Sequence, residues 1–164
     1  MAVDTAKVTQ RRKLRFTTLD EVQRDAEQLV AADRNGKLRC MGNWTLGQIF
    51  GHLAAFIDYA YDGYPPSLAN PPWFVKLFLR MRKNKFLRGP LPAGVKIPRV
   101  EGGTTGAEPI STDEGFARLS RALDRLAAAP PSTPNIVFGP LTRDQWCQLH
   151  QRHAELHLSF VSPE

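Results

Sequence analysis

Three times in this chain a hydroxyl side chain is followed three residues later by Glu or Gln, and each time a run with helical periodicity begins there. The pairs are Thr18 with Glu21, Ser111 with Glu114 and Thr142 with Gln145. Such a pair satisfies two backbone N–H groups that a helix start otherwise leaves without partners. The runs behind them space apolar residues three and four apart, as in Phe116, Leu119, Leu123 and Leu126, the period of a helix with one buried side. A further helix is expected from about Thr45 to Tyr61, with Leu46, Ile49, Phe50, Leu53 and Ile57 on one stripe and Asp62-Gly63-Tyr64-Pro65-Pro66 as its stop. No run alternates apolar and polar residues over a useful length. Ile136 to Phe138 is too short and too close to Pro134 and Pro140 to be a strand. The expected fold is therefore all-α: a four-helix bundle with a long irregular insert, 62–109, between its second and third helices.

A chain of 164 residues has room for one real core. A single domain over 16–164 is expected, preceded by a flexible basic tail, 1–15. The net charge of +6 invites a nucleic-acid reading, but it is unevenly placed. Lys7, Arg11, Arg12, Lys13 and Arg15 sit in the tail, and Lys76, Arg80, Arg82, Lys83, Lys85 and Arg88 in the insert, together half of the 22 basic residues against the single acid Asp4. The body is mildly acidic, so no nucleic acid is expected as a partner. The longest apolar run, Trp73 to Leu79, is broken by Lys76 and is far short of the roughly 20 residues a spanning helix needs. Cys40 and Cys147 lack CxxC spacing, and Met1 to Lys13 lacks the apolar stretch of a secretory leader, so a cytoplasmic protein is expected. Both cysteines read as inert thiols, Cys40 in a loop.

The last helix sorts into two sides at about 100° per residue. Trp146, Leu149, His150, His153, Leu156, His157 and Phe160 share one, and Asp144, Gln148, Arg152 and Glu155 the other. Three imidazoles inside an apolar stripe each need partners for both ring nitrogens, because a buried polar group without one costs about 1–3 kcal/mol. The i, i+4 pair His153 and His157 has the spacing at which two imidazoles converge on one ion. A polar, water-filled cavity would equally satisfy the trio. His52 falls at the flank of its helix's stripe and reads, from spacing, as a boundary residue. Asp58, Tyr59, Asp62 and Glu155 are the acid–base groups within reach, and none stands out as a general base.

Two segments are familiar together: Gly42-Asn43-Trp44-Thr45-Leu46-Gly47-Gln48-Ile49 with His52-Leu53, and Trp146 to Phe160 with His150, His153 and His157. They resemble the DinB-like (DinB/YfiT) superfamily of metalloenzymes, in particular a bacterial branch known as a domain of unknown function. The resemblance implies a four-helix bundle in which His52, His153 and His157 bind a divalent ion, zinc or nickel by expectation. His150 falls outside that triad and becomes a second-shell or substrate-facing candidate. Leu156 is a departure, since related sequences often carry another histidine there.

Three neutral histidines leave a coordination position open, as catalytic sites do. The expected function is a metal-dependent enzyme, hydrolase or thiol-dependent transferase, acting on a small molecule, with a homodimer as the one self-association considered. The alternative is a non-catalytic module that binds metal or a small molecule. The basic apolar stretch Trp73 to Arg88 is expected to be a lid with its apolar side on the bundle, an anionic membrane surface being the competing partner. Gly102-Gly103-Thr104-Thr105-Gly106 lacks the Lys-Ser/Thr ending of a phosphate loop and reads as a flexible connector.

Overall fold

The computed structural model describes residues 2–68, 72–97 and 100–164, so two pieces of the expected insert, 69–71 and 98–99, lie outside the described residues. The protein is mostly helical, with a small two-stranded sheet. In chain order the elements are α1 (Leu19–Arg34), β1 (Leu38–Cys40), α2 (Leu46–Asp62), α3 (Trp73–Met81), α4 (Lys83–Arg88), α5 (Thr112–Ala128), α6 (Arg143–Leu158) and β2 (Val161–Pro163).

The starts of the long helices are set by their caps. Thr18 and Thr142 make the reciprocal bonds with Glu21 and Gln145, and Thr45 makes the same pair with Gln48. Ser111 caps α5 by accepting from the Glu114 N–H, while the Glu114 carboxylate turns to Arg118. Helices α1, α2, α5 and α6 then bury one shared core, including Val22, Leu29, Leu46, Phe50, Ile57, Leu119, Leu126, Trp146 and Leu158. Helices α2 and α5 approach closely at Gly47 and Gly115. A Cβ on Gly115 would stand 3.1 Å from both the Gly47 Cα and the Phe50 Cβ, and one on Gly47 would strike the Ile110 and Ser111 backbone. The close approach requires glycine at both points, despite its cost of roughly 0.5–1 kcal/mol inside a helix.

Three expectations are corrected. The protein is not purely helical, because Leu38, Arg39 and Cys40 pair antiparallel with Pro163, Ser162 and Val161. Strands of three residues are too short to show alternation, and their partners lie at opposite ends of the chain. Cys40 is therefore on a strand and not in a loop.

Second, the polar side of α6 is left exposed at Asp144 but is closed off in its second half. Arg152 and Glu155 are buried and paired at 2.7 Å. The Glu155 carboxylate accepts from the Phe16 N–H at 2.5 Å, and the Arg152 guanidinium donates to the Phe16 carbonyl. The residues read as a tail reach this side too, with Arg12 forked onto Asp25 at 2.7 and 2.8 Å and its backbone N–H on the Ser159 carbonyl.

Third, the stretch Trp73 to Arg88 breaks at Arg82 into two helices, and only the second buries a residue fully. Leu87 is buried and Phe86 packs on Phe138 at 5.7 Å between ring centroids. Helix α3 buries none of its residues, and its apolar side is turned outward instead of onto the body.

Candidate metal centre

His52 lies in the second turn of α2 and is oriented from outside the helix. Its Nδ1–H donates to the Thr105 carbonyl at 2.9 Å. A carbonyl only accepts, so Nδ1 carries the proton and Nε2 is left with a free lone pair. The 105–107 segment that supplies this carbonyl is strapped to α2: the Gln48 side chain donates to the Ala107 carbonyl at 2.9 Å. Gly106 has φ of 78°, and a Cβ there would come within 2.7 Å of the Ala55 Cβ. The end of the segment read as a flexible connector thus fixes the orientation of the His52 ring.

Across the core, one α6 turn presents His153 and His157 to the same point. The Nε2 atoms of His52 and His153 are 3.1 Å apart. One ligating nitrogen from each of His52, His153 and His157 lies within 4.8 Å of the other two, so the group could hold a metal ion. The three rings meet edge to face, with centroids 4.6–5.0 Å apart. Trp44 stacks on His157 at 5.3 Å and 15°, and Phe56 packs against His52 and His153 at 4.6 and 5.1 Å. These aromatic walls keep the nitrogens in a poorly solvated setting.

That setting decides protonation. Burial pushes His52 down to about 4. His153 and His157 lie well below their ordinary value, first through burial and then through the neighbouring imidazoles. All three are neutral near pH 7, the form in which imidazole ligates.

His150, one turn earlier, sits apart from this group. It is buried, stacked on Trp146 at 5.9 Å and 9°, and pushed down to about 4 by burial. Neither of its ring nitrogens has a hydrogen-bond partner among the described residues. The acid–base groups are engaged elsewhere. Asp58 and Asp62 hold Arg125 on the outer side of α2 and α5, and Glu155 is committed to Arg152 and Phe16. Tyr59 is the exception, its hydroxyl 3.5 Å from the Thr105 Oγ1. Burial raises the Cys147 thiol, and it raises Cys40 together with the nearby Asp33 charge, in keeping with inert thiols.

Sequence reasoning missed the roles of Thr105, Trp44 and Phe56. Thr105 acts through its backbone, which no side chain advertises. Gly106 was the available signal, since a glycine that must adopt positive φ marks a pinned turn.

A family model described as "Protein of unknown function (DUF1569)" matches residues 8–164. No curated protein and no solved structure matches the chain. The family match spans α2, the 105–107 segment and α6, every part of the histidine cluster, and the chain accordingly belongs to the DUF1569 family.

Proposed function

We propose that this chain is a divalent-metal-dependent enzyme of the DinB-like type, a hydrolase or thiol-dependent transferase acting on a small molecule in the cytoplasm. In this reading α1, α2, α5 and α6 form a four-helix bundle, residues 62–109 are its insert, and His52, His153 and His157 hold zinc or nickel. The observation that carries the proposal is the convergence of three neutral imidazoles from two helices, one with its tautomer fixed by a backbone carbonyl. Histidine ligation of this kind suits zinc and nickel.

A divalent ion bound there supplies Lewis acidity toward a water or a thiol. The chain's own residues set the conditions. Thr105 fixes the His52 ring, Trp44 and Phe56 wall the imidazoles, and Tyr59 offers a hydroxyl beside Thr105. His150 is the substrate-facing or supporting candidate.

The test is a turnover screen of protein loaded with zinc or nickel, using activated esters with water and alkylating electrophiles with small thiols. Turnover that a chelator abolishes and that His157→Ala lacks supports the enzyme. The alternative is a non-catalytic module that binds metal or a small molecule. Tight metal retention without turnover of any probe would select that reading.

A further inference from the structure

Helix α3 has an apolar side that nothing among the described residues covers. Trp73, Leu77 and Met81 follow one another at intervals of four, with Phe74 and Phe78 beside them, and their exposures are 76%, 53%, 80%, 58% and 53%. Five large apolar side chains on one stripe form a contiguous patch, unlike the scattered exposed apolar residues of an ordinary surface. The patch is held in place by its neighbour. Leu87 is buried, Phe86 packs on Phe138, and the Lys83 ammonium donates to the Gln145 side chain at 3.4 Å. Arg80 turns toward the body, with its guanidinium beside Gly139.

Charge decides what can cover the patch. Residues 73–88 carry Lys76, Arg80, Arg82, Lys83, Lys85 and Arg88 and no acid. Arg82 lies over the Phe78 ring at 4.8 Å, so the cations border the stripe directly. A second copy related by a two-fold axis would set six cations against six, which disfavours self-association through this face. A surface of fixed negative charge above an apolar layer matches both features at once. The cations meet the charge, and the aromatic and aliphatic side chains enter the boundary beneath it to about 5–10 Å.

We propose that α3 docks the protein on an anionic phospholipid bilayer, with Trp73, Phe74, Leu77, Phe78 and Met81 inserted among the acyl chains and the cations of 76–88 on the headgroups. Docking there leaves the histidine cluster of α2 and α6 in the body untouched, so it is independent of whatever that cluster binds.

The experiment is co-sedimentation of the full chain with vesicles of phosphatidylglycerol and phosphatidylcholine, and with phosphatidylcholine alone. Binding is expected to the first, at least about tenfold tighter than to the second, and to weaken as salt shortens the Debye length from about 30 Å at 0.01 M to 3 Å at 1 M. The double substitution Phe74→Ser with Phe78→Ser should weaken it on the order of a hundredfold, with the circular dichroism spectrum unchanged because both side chains are exposed. A blue shift of tryptophan emission on adding anionic vesicles, absent in Trp73→Phe, would place that residue in the bilayer. The proposal is overturned if the chain stays in solution with anionic vesicles at low salt. It is equally overturned if the double variant binds as well as the parent, or if that variant instead turns a dimer into a monomer, the mark of a second copy as the occupant.

Discussion

Helices α3 and α6 are both amphipathic and both carry charged or titratable groups beside their apolar stripes, yet the fold treats them in opposite ways. In the second half of α6 both sides are covered. Trp146, His150, Ala154 and Leu158 go into the core, and the polar side closes under the backbone of Phe16 by way of Arg152 and Glu155. In α3 the stripe from Trp73 to Met81 stays outside. Helical period says that a face exists, and the rest of the chain decides what meets it. The difference also separates two settings: α6 buries imidazoles and a paired Arg152 and Glu155, whereas α3 leaves large apolar side chains outside.

The largest effect expected from this contrast is on acid stability. His52, His150, His153 and His157 all have pKa values lowered by burial, two of them to about 4. Below the ordinary histidine value of about 6.5 the unfolded chain binds protons that the folded chain refuses, so stability is present above that pH and is lost as pH falls toward about 4. Each such histidine contributes a slope of about 1.4 kcal/mol per pH unit in that window. Urea denaturation of metal-free protein from pH 7 to 4.5 measures it, and a flat profile would contradict the burial of the cluster.

The two helices each carry a tryptophan that sharpens the comparison further. Trp146→Ala should cost about 3–5 kcal/mol, and Trp73→Ala should stay within about 0.5 kcal/mol. Similar losses in both would mean that α3 is packed after all.

Smaller effects probe the surroundings of the histidine cluster. Gly106→Ala forces a Cβ against Ala55 at positive φ, for a loss of about 1–3 kcal/mol and weaker metal binding as the Thr105 carbonyl shifts from His52. Unchanged metal affinity would show that this carbonyl does not orient the ring. His150→Leu should be neutral or stabilising by about 1 kcal/mol in thermal unfolding, because it removes a buried ring whose nitrogens have no partner. A marked loss of stability would mean that His150 makes an interaction essential to the core.

What could be read from the sequence divides along the range of the interactions. The caps at Thr18, Ser111 and Thr142 act over three residues, and their helices begin where the pairs place them. Nothing local marks the pairing of Leu38–Cys40 with Val161–Pro163, nor that Arg152 and Glu155 meet the Phe16 backbone from across the chain. The site follows the same rule. His153 and His157 are one turn apart on a helix, so spacing finds them. His52 looked like a boundary residue because its burial depends on the 105–107 segment as well as on a facing helix, and it was recruited through the family resemblance alone. The outward turn of α3 was invisible for the same reason: its stripe has the period of a packed helix.

In the proposed reading His52, His153 and His157 act as one ligand set. Zinc affinity measured by competition with a chromophoric chelator, for the parent chain and for His153→Ala at pH 7.5, tests it most directly. One ion per chain is expected in the parent, with affinity weaker by on the order of a hundredfold or more in the variant. Equal affinities in the two proteins, or negligible binding in both, would contradict it.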